Sequence, residues 1–220
     1  MLHLYALVRH PAVVPDVNGI EDRPLRSVAV DGVIDAVISD TSQGVNRSDD
    51  AVLAHARVVD ALAESNEGIL PARFAGSTAS DDALRASIAG RSEQILAALE
   101  RVDGCVELGL RVLRREEAAE APATSGREYM LRRLDEVGQA EALSRDVHGK
   151  LAGLARESTC EVVARGDVVL TSAYLVPRDH VERFRAALHE LERIFPAATL
   201  VLTGPWPPYS FTLLEAGGGT

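Results

Sequence analysis

The chain has 220 residues, enough for one large domain or two small ones, with ordinary apolar (46%) and charged (25%) content but only 4% aromatics. Its 33 acidic and 23 basic residues leave a net charge of −10, which argues against a phosphate-backbone binder and disfavours docking on an anionic lipid surface. No window approaches the roughly 20 apolar residues of a membrane-spanning helix, and the start lacks the basic and apolar regions of a signal peptide, so a cytoplasmic protein is expected.

Leu2 to Val8 read as a first strand, followed by a polar loop containing Pro15, Asn18-Gly19 and Pro24. Leu25 to Val30 and Val33 to Ile38 flank Asp31-Gly32, a strong hairpin signal. Ser48-Asp49-Asp50 is positioned to cap a helix carrying Val52, Leu53, Ala56, Val59, Leu62 and Ala63. Ile69 to Phe74 is a short extended piece with Pro71 marking an edge or bend, and Ser80-Asp81-Asp82 caps a helix to Leu99 that Gly90 weakens.

Val102 to Leu113 alternates as a strand, and Arg114 to Gly126 is a charged, Ala-rich insertion. The longest helix runs from Arg127 to about Arg156, with Met130, Leu134, Val137, Ala140, Leu143, Val147, Leu151 and Leu154 forming one apolar stripe. Cys160 to Ala164 and Val168 to Val176 flank Arg165-Gly166-Asp167 as a second hairpin. A helix follows from Arg178-Asp179 to Pro196, and Leu200 to Leu202 is the final strand. From Val102 the order is strand, helix, strand, strand, helix, strand, which is that of a ferredoxin-like βαββαβ unit. The expected fold is therefore α+β with two domains, 1–101 and 102–220, the second ferredoxin-like and ending in a tail over 204–220.

That tail is the most distinctive stretch. Gly204-Pro205-Trp206-Pro207-Pro208-Tyr209-Ser210-Phe211 holds the only Trp and three of the ten prolines. The prolines predict a strand that leaves its sheet at Gly204 as a stiff extended ribbon. Its aromatics either pack back over the protein's own interdomain seam or face a partner.

No catalytic set emerges. There is no phosphate-cradling glycine loop and no Gly-x-Ser-x-Gly, and Gly217-Gly218-Gly219 is a terminal run. The histidines lack metal spacing, with His180 and His189 pointing different ways from one helix. Cys105 and Cys160 are expected as reduced thiols, on strands that could be neighbours. Neither catalytic, cofactor nor metal residues are expected. Arg73 and Phe74 are open between a structural role and a partner contact.

The closing GPWPPYSF resembles the gas vesicle protein F/L family. Further matches are Leu4-Tyr5-Ala6-Leu7-Val8, Leu70-Pro71-Ala72-Arg73-Phe74-Ala75, Val106-Glu107-Leu108-Gly109-Leu110-Arg111-Val112, Gly126-Arg127-Glu128-Tyr129-Met130 and Ala173-Tyr174-Leu175-Val176. Ala75 stands where the family often has Gly, and Leu108 where it often has Trp, so neither takes a role by carry-over. The resemblance implies an accessory or minor structural component of the gas vesicle, interacting with the small hydrophobic shell protein and other accessory gas vesicle proteins. It implies no nucleic acid and no lipid membrane as partner. A soluble, charged binder with a limited apolar groove would keep shell subunits from aggregating, here near the seam under Trp206 to Phe211. The competing reading is a small-molecule enzyme or sensor on a ferredoxin-like unit.

Overall fold

In the computed structural model, residues 1–74, 77–114, 125–165 and 168–212 are described. The fold is mixed helix and sheet, and it divides into two compact units. The first comprises Met1–Cys105 together with the described residues from Trp206 onward, and the second Val106–Pro205. The C-terminal residues that the sequence places with a second domain therefore cluster with the first unit.

The first unit is built on β1 (Leu2–Arg9), which pairs antiparallel with β3 (Ile34–Asp40) on one side. On its other side it pairs with β4 (Ile69–Pro71) and β5 (Ser77–Thr78). β2 (Leu25–Val30) completes a sheet of order β2-β3-β1-β4, with β5 beside β1. The β2–β3 hairpin closes as its Asp-Gly signal predicts, with Asp31 and Gly32 both at positive φ. Pro71 sits at the sheet margin, where a missing N–H is tolerated.

α1 (Asp49–Ser65) is capped by Ser48, whose hydroxyl accepts from the Ala51 N–H. It lays Ala54, Val58, Val59 and Leu62 against Tyr5, Val8, Val37 and Ile69. The single helix expected from Ser80 to Leu99 is two: α2 (Asp81–Ile88), capped by Ser80, and α3 (Ser92–Val102). The break is at Gly90, whose φ of +84° ends the first helix at little steric cost.

The second unit contains β6 (Cys105–Arg114), α4 (Gly126–Ala152), β7 (Glu157–Arg165), β8 (Val168–Pro177), α5 (Val181–Ile194) and β9 (Ala198–Trp206), with the first residue of β6 and the last of β9 belonging to the first unit. Its sheet has the order β7-β8-β6-β9, and α4 and α5 pack on β8 and on each other. Leu108, Leu110 and Val112 alternate into the core as expected of β6, meeting Leu170, Tyr174, Val176, Phe184 and Leu188. β8 runs between β7 and β6, so the two cysteines are not on neighbouring strands; neither is in a disulfide, and Cys105 is buried while Cys160 is exposed. The turn residues of Arg165-Gly166-Asp167 and most of the 114–126 insertion lie outside the described residues.

Two elements depart from the sequence reading in ways that bear on function. β9 does not stop at Leu202: it continues through Gly204, at φ +104°, and Pro205 to Trp206. An edge strand tolerates proline because its outward N–H has no ladder partner to lose. The apolar stripe of α4 is also not one stripe. Ala140, Ser144, Val147 and Leu151 are buried, whereas Met130 and Leu134 are exposed. Leu151→Ala is therefore expected to lower unfolding free energy by about 2–5 kcal/mol, and Leu134→Ala by less than about 0.5 kcal/mol. Urea denaturation of the two variants checks the contrast; equal losses would contradict it.

Candidate functional site

The tail is positioned by its own sequence. Past Trp206, Pro207 and Pro208 are buried, and Tyr209–Phe211 form a 3-10 turn rather than continuing as an extended ribbon. Pro208 cannot donate to a ladder and fixes its own φ, and the Phe211 N–H closes the turn on the Pro208 carbonyl at 3.1 Å. Phe211 is fully buried, and Tyr209 packs on the α1 core of the first unit. A guanidinium N–H of Arg101, on α3, donates to the Phe211 carbonyl. Burial, with the Asp60 carboxylate of α1 nearby, pushes the Tyr209 hydroxyl up to about 12. Burial divides the tail by residue: Pro207, Pro208 and Phe211 are buried and Tyr209 is half-buried, while Trp206 stands 49% exposed at the end of β9. Gly204 is half-buried and Pro205 exposed.

Arg73 and Phe74 follow β4 and also divide. Arg73 is exposed. Phe74 turns inward onto an aromatic cluster, its ring centroid 5.5 Å from His3 and 5.7 Å from His55. His3 and Tyr5 lie two residues apart on β1, and His55 faces them from α1. The His55 Nε2–H donates to the Ala72 carbonyl at 3.0 Å. Its Nδ1 is thereby an acceptor, and takes the His3 Nε2–H at 2.8 Å. His3 Nδ1 is buried with no partner among the described residues. The Tyr5 hydroxyl meets Ser39 Oγ at 2.9 Å and accepts from the Ile20 N–H at 2.8 Å. These polar residues share the interior with the α1 core, so β1 is tied to α1, to the loop at Ile20 and to the segment after β4.

The first unit also has a groove of about 730 Å³, lined by the loops 17–22 and 42–48 and by the first turns of α1. Its rims are joined by Glu21, whose carboxylate accepts from the Ser42 N–H and hydroxyl at 3.0 Å each. Those two bonds hold the Glu21 carboxyl below its ordinary range. The sequence reading assigned no role to the 42–48 loop, His3 or His55. The available signal was a histidine inside the apolar run Leu2 to Val8, a polar group that must find a buried partner. Among the described residues, no group of three or more His, Cys, Asp or Glu could hold a metal ion.

Burial, and then the neighbouring His55, lower the His3 imidazole to about 4, and burial lowers His55 as well. Both are neutral when folded, while the unfolded chain takes up protons below about pH 6.5. The contribution is therefore fully present above that value and is lost as pH falls toward about 4. The unfolding free energy from urea denaturation is expected to fall by an amount on the order of 1–3 kcal/mol between pH 7.5 and 5. Phe211→Ala is expected to cost about 3–5 kcal/mol at neutral pH in the same measurement.

Comparison with known proteins covers nearly the whole chain. The family model for "Gas vesicle synthesis protein GvpL/GvpF" matches residues 1–212. Gas vesicle protein L of Streptomyces sp. (strain CB03234) is 32% identical, over 95% of this chain and 91% of that protein. Gas vesicle protein F2 of Halobacterium salinarum is 27% identical, over 90% and 91%. The crystal structure of gas vesicle protein GvpF from Anabaena sp. PCC7120 superposes with a TM-score of 0.82 at 15% identity, covering 100% of this chain and 98% of that one. That of GvpF from Microcystis aeruginosa gives 0.79 at 18% identity, covering 97% and 99%.

Proposed function

Because the chain belongs to the GvpL/GvpF family of gas vesicle synthesis proteins, we propose that it is an assembly protein that binds the small hydrophobic shell protein and limits its aggregation before incorporation. A shell subunit with a large apolar face aggregates unless that face is met by a soluble partner. This chain, at a net charge of −10, has the solubility for that task.

The observation that carries the reading is the treatment of the tail. Proline and glycine restrict its backbone, Tyr209 and Phe211 hold it to the first unit, and Trp206 remains half-exposed. A large apolar side chain held on a constrained backbone docks with little loss of entropy. Gly204, Pro205 and Trp206 thus form the partner-facing part, with Arg73 as a second exposed contact. Residues after 206 anchor it. The second unit, from its element order and its β7-β8-β6-β9 sheet, supports a ferredoxin-like assignment with an insertion between β6 and α4.

The groove lined by the 17–22 and 42–48 loops favours a second reading, a small-molecule sensor, because polar groups converge on it from three segments. A thermal-shift screen against cellular metabolites separates the two, since a ligand at 100 times its dissociation constant stabilises by about 2.7 kcal/mol.

Co-expression with the shell protein and affinity capture test the main reading. Trp206→Ala is expected to reduce captured shell protein by about tenfold or more with an unchanged melting temperature. Deletion of 204–211 is not a clean test, because it removes the buried Phe211. Undiminished capture by folded Trp206→Ala protein would place the binding surface elsewhere.

A further inference from the structure

The N-terminal half of α4 carries an apolar surface that the packing of the second unit leaves uncovered. Met130, Leu131 and Leu134 are 59%, 53% and 65% exposed, and Val137 is only half-buried. At about 100° per residue, these four centre on Leu134, rotated by roughly 100° from the Ala140, Ser144, Val147 and Leu151 line that meets the sheet. They are a separate face, not the frayed end of the core stripe.

What lies on that face beside them selects an occupant. Arg127, Leu134 and Glu141 are spaced by seven residues and share one line along the helix. Arg127 and Glu141 are both exposed, with opposite charges at the two ends of the line. Gly138 lies on the same face inside the helix, with nothing within 4 Å of the position a Cβ would take. An exposed glycine in a helix interior costs about 1 kcal/mol relative to alanine.

We propose that this face pairs with the same face of a second copy of the chain, the two α4 helices antiparallel about a two-fold axis at Leu134. The symmetry then explains each feature. Leu134 meets its own copy at the axis. Met130 lies beside the partner's Val137, once on each side of the axis. Leu131 packs over the partner's Gly138, where a side chain would hold the helices apart. Arg127 faces the partner's Glu141, and the axis generates that ion pair twice. An isologous contact of this kind needs a self-complementary surface, and a seven-residue line with a cation at one end, an anion at the other and leucine at its centre is self-complementary only when antiparallel.

The contact is small, at the low end of specific interfaces, so a dissociation constant on the order of 10–100 μM is expected. The pairing does not depend on shell-protein binding, and the two can fail separately.

Sedimentation velocity of the full chain from about 2 to 200 μM tests it. The expected result is a concentration-dependent monomer–dimer equilibrium that Leu134→Glu weakens by about 30-fold or more. Glu141→Arg is expected to weaken it by about tenfold, and Arg127→Glu combined with Glu141→Arg to restore it to within about threefold. All three positions are exposed, so circular dichroism and melting temperature should hold. A monomer throughout the range overturns the proposal. So does a dimer indifferent to Leu134→Glu, or a double charge reversal that fails to restore association.

Discussion

The packing of Tyr209 on the α1 core, together with the Arg101 hydrogen bond to the carbonyl of the buried Phe211, is the constraint on which the architecture turns. It makes the first unit discontinuous: residues from Met1 to Cys105 need the last described residues to complete their core. The second unit is thereby an insertion between two parts of the first. The changeovers in the chain fall inside strands, at the start of β6 and the end of β9, without a separate linker. A stretch rich in proline suits this closing role because little backbone entropy remains to be lost when it is fixed.

The polar interior of the first unit imposes a second condition. Two histidines, a tyrosine and a serine are buried beside an aliphatic core, and buried polar groups are tolerated only when bonded. Here one carbonyl decides the whole chain of donors. The Ala72 oxygen can only accept, so His55 must donate through Nε2 and accept through Nδ1 from His3. A third neutral donor is not supplied, and His3 Nδ1 is left bare among the described residues. The cluster therefore ties β1, α1 and the segment bearing Arg73 and Phe74 into one bonded arrangement. Its neutrality follows first from burial, with the His55 ring adding to the lowering at His3.

Surface features carry the functional reading, and they are features that the fold could have covered and did not. Trp206 is half-exposed while Phe211, five residues on, is buried; Arg73 is exposed while Phe74 is buried on one side. On α4, two apolar lines share a helix, and only one meets the sheet. In each case neighbouring residues of similar chemistry have opposite fates, which no composition argument separates.

The sequence by itself determined the elements whose signals are local. Asp31-Gly32 set the first hairpin because both positions accept positive φ, Ser48 and Ser80 set two helix starts because their hydroxyls reach N–H groups three residues on, and alternation set β6. The GPWPPYSF ending and the scattered matches along the chain led to the family, which the comparison over residues 1–212 establishes. Only the tertiary structure decided where the tail returns, which face of α4 is covered, that Gly90 splits a helix, and that His3, Tyr5, His55 and Phe74 meet. The return of the tail and the meeting of β1 with α1 depend on contacts about 50 or more positions apart, and the fate of α4 on competition between two apolar faces for one sheet. Periodicity reports that a face is apolar, but only packing settles what, if anything, covers it.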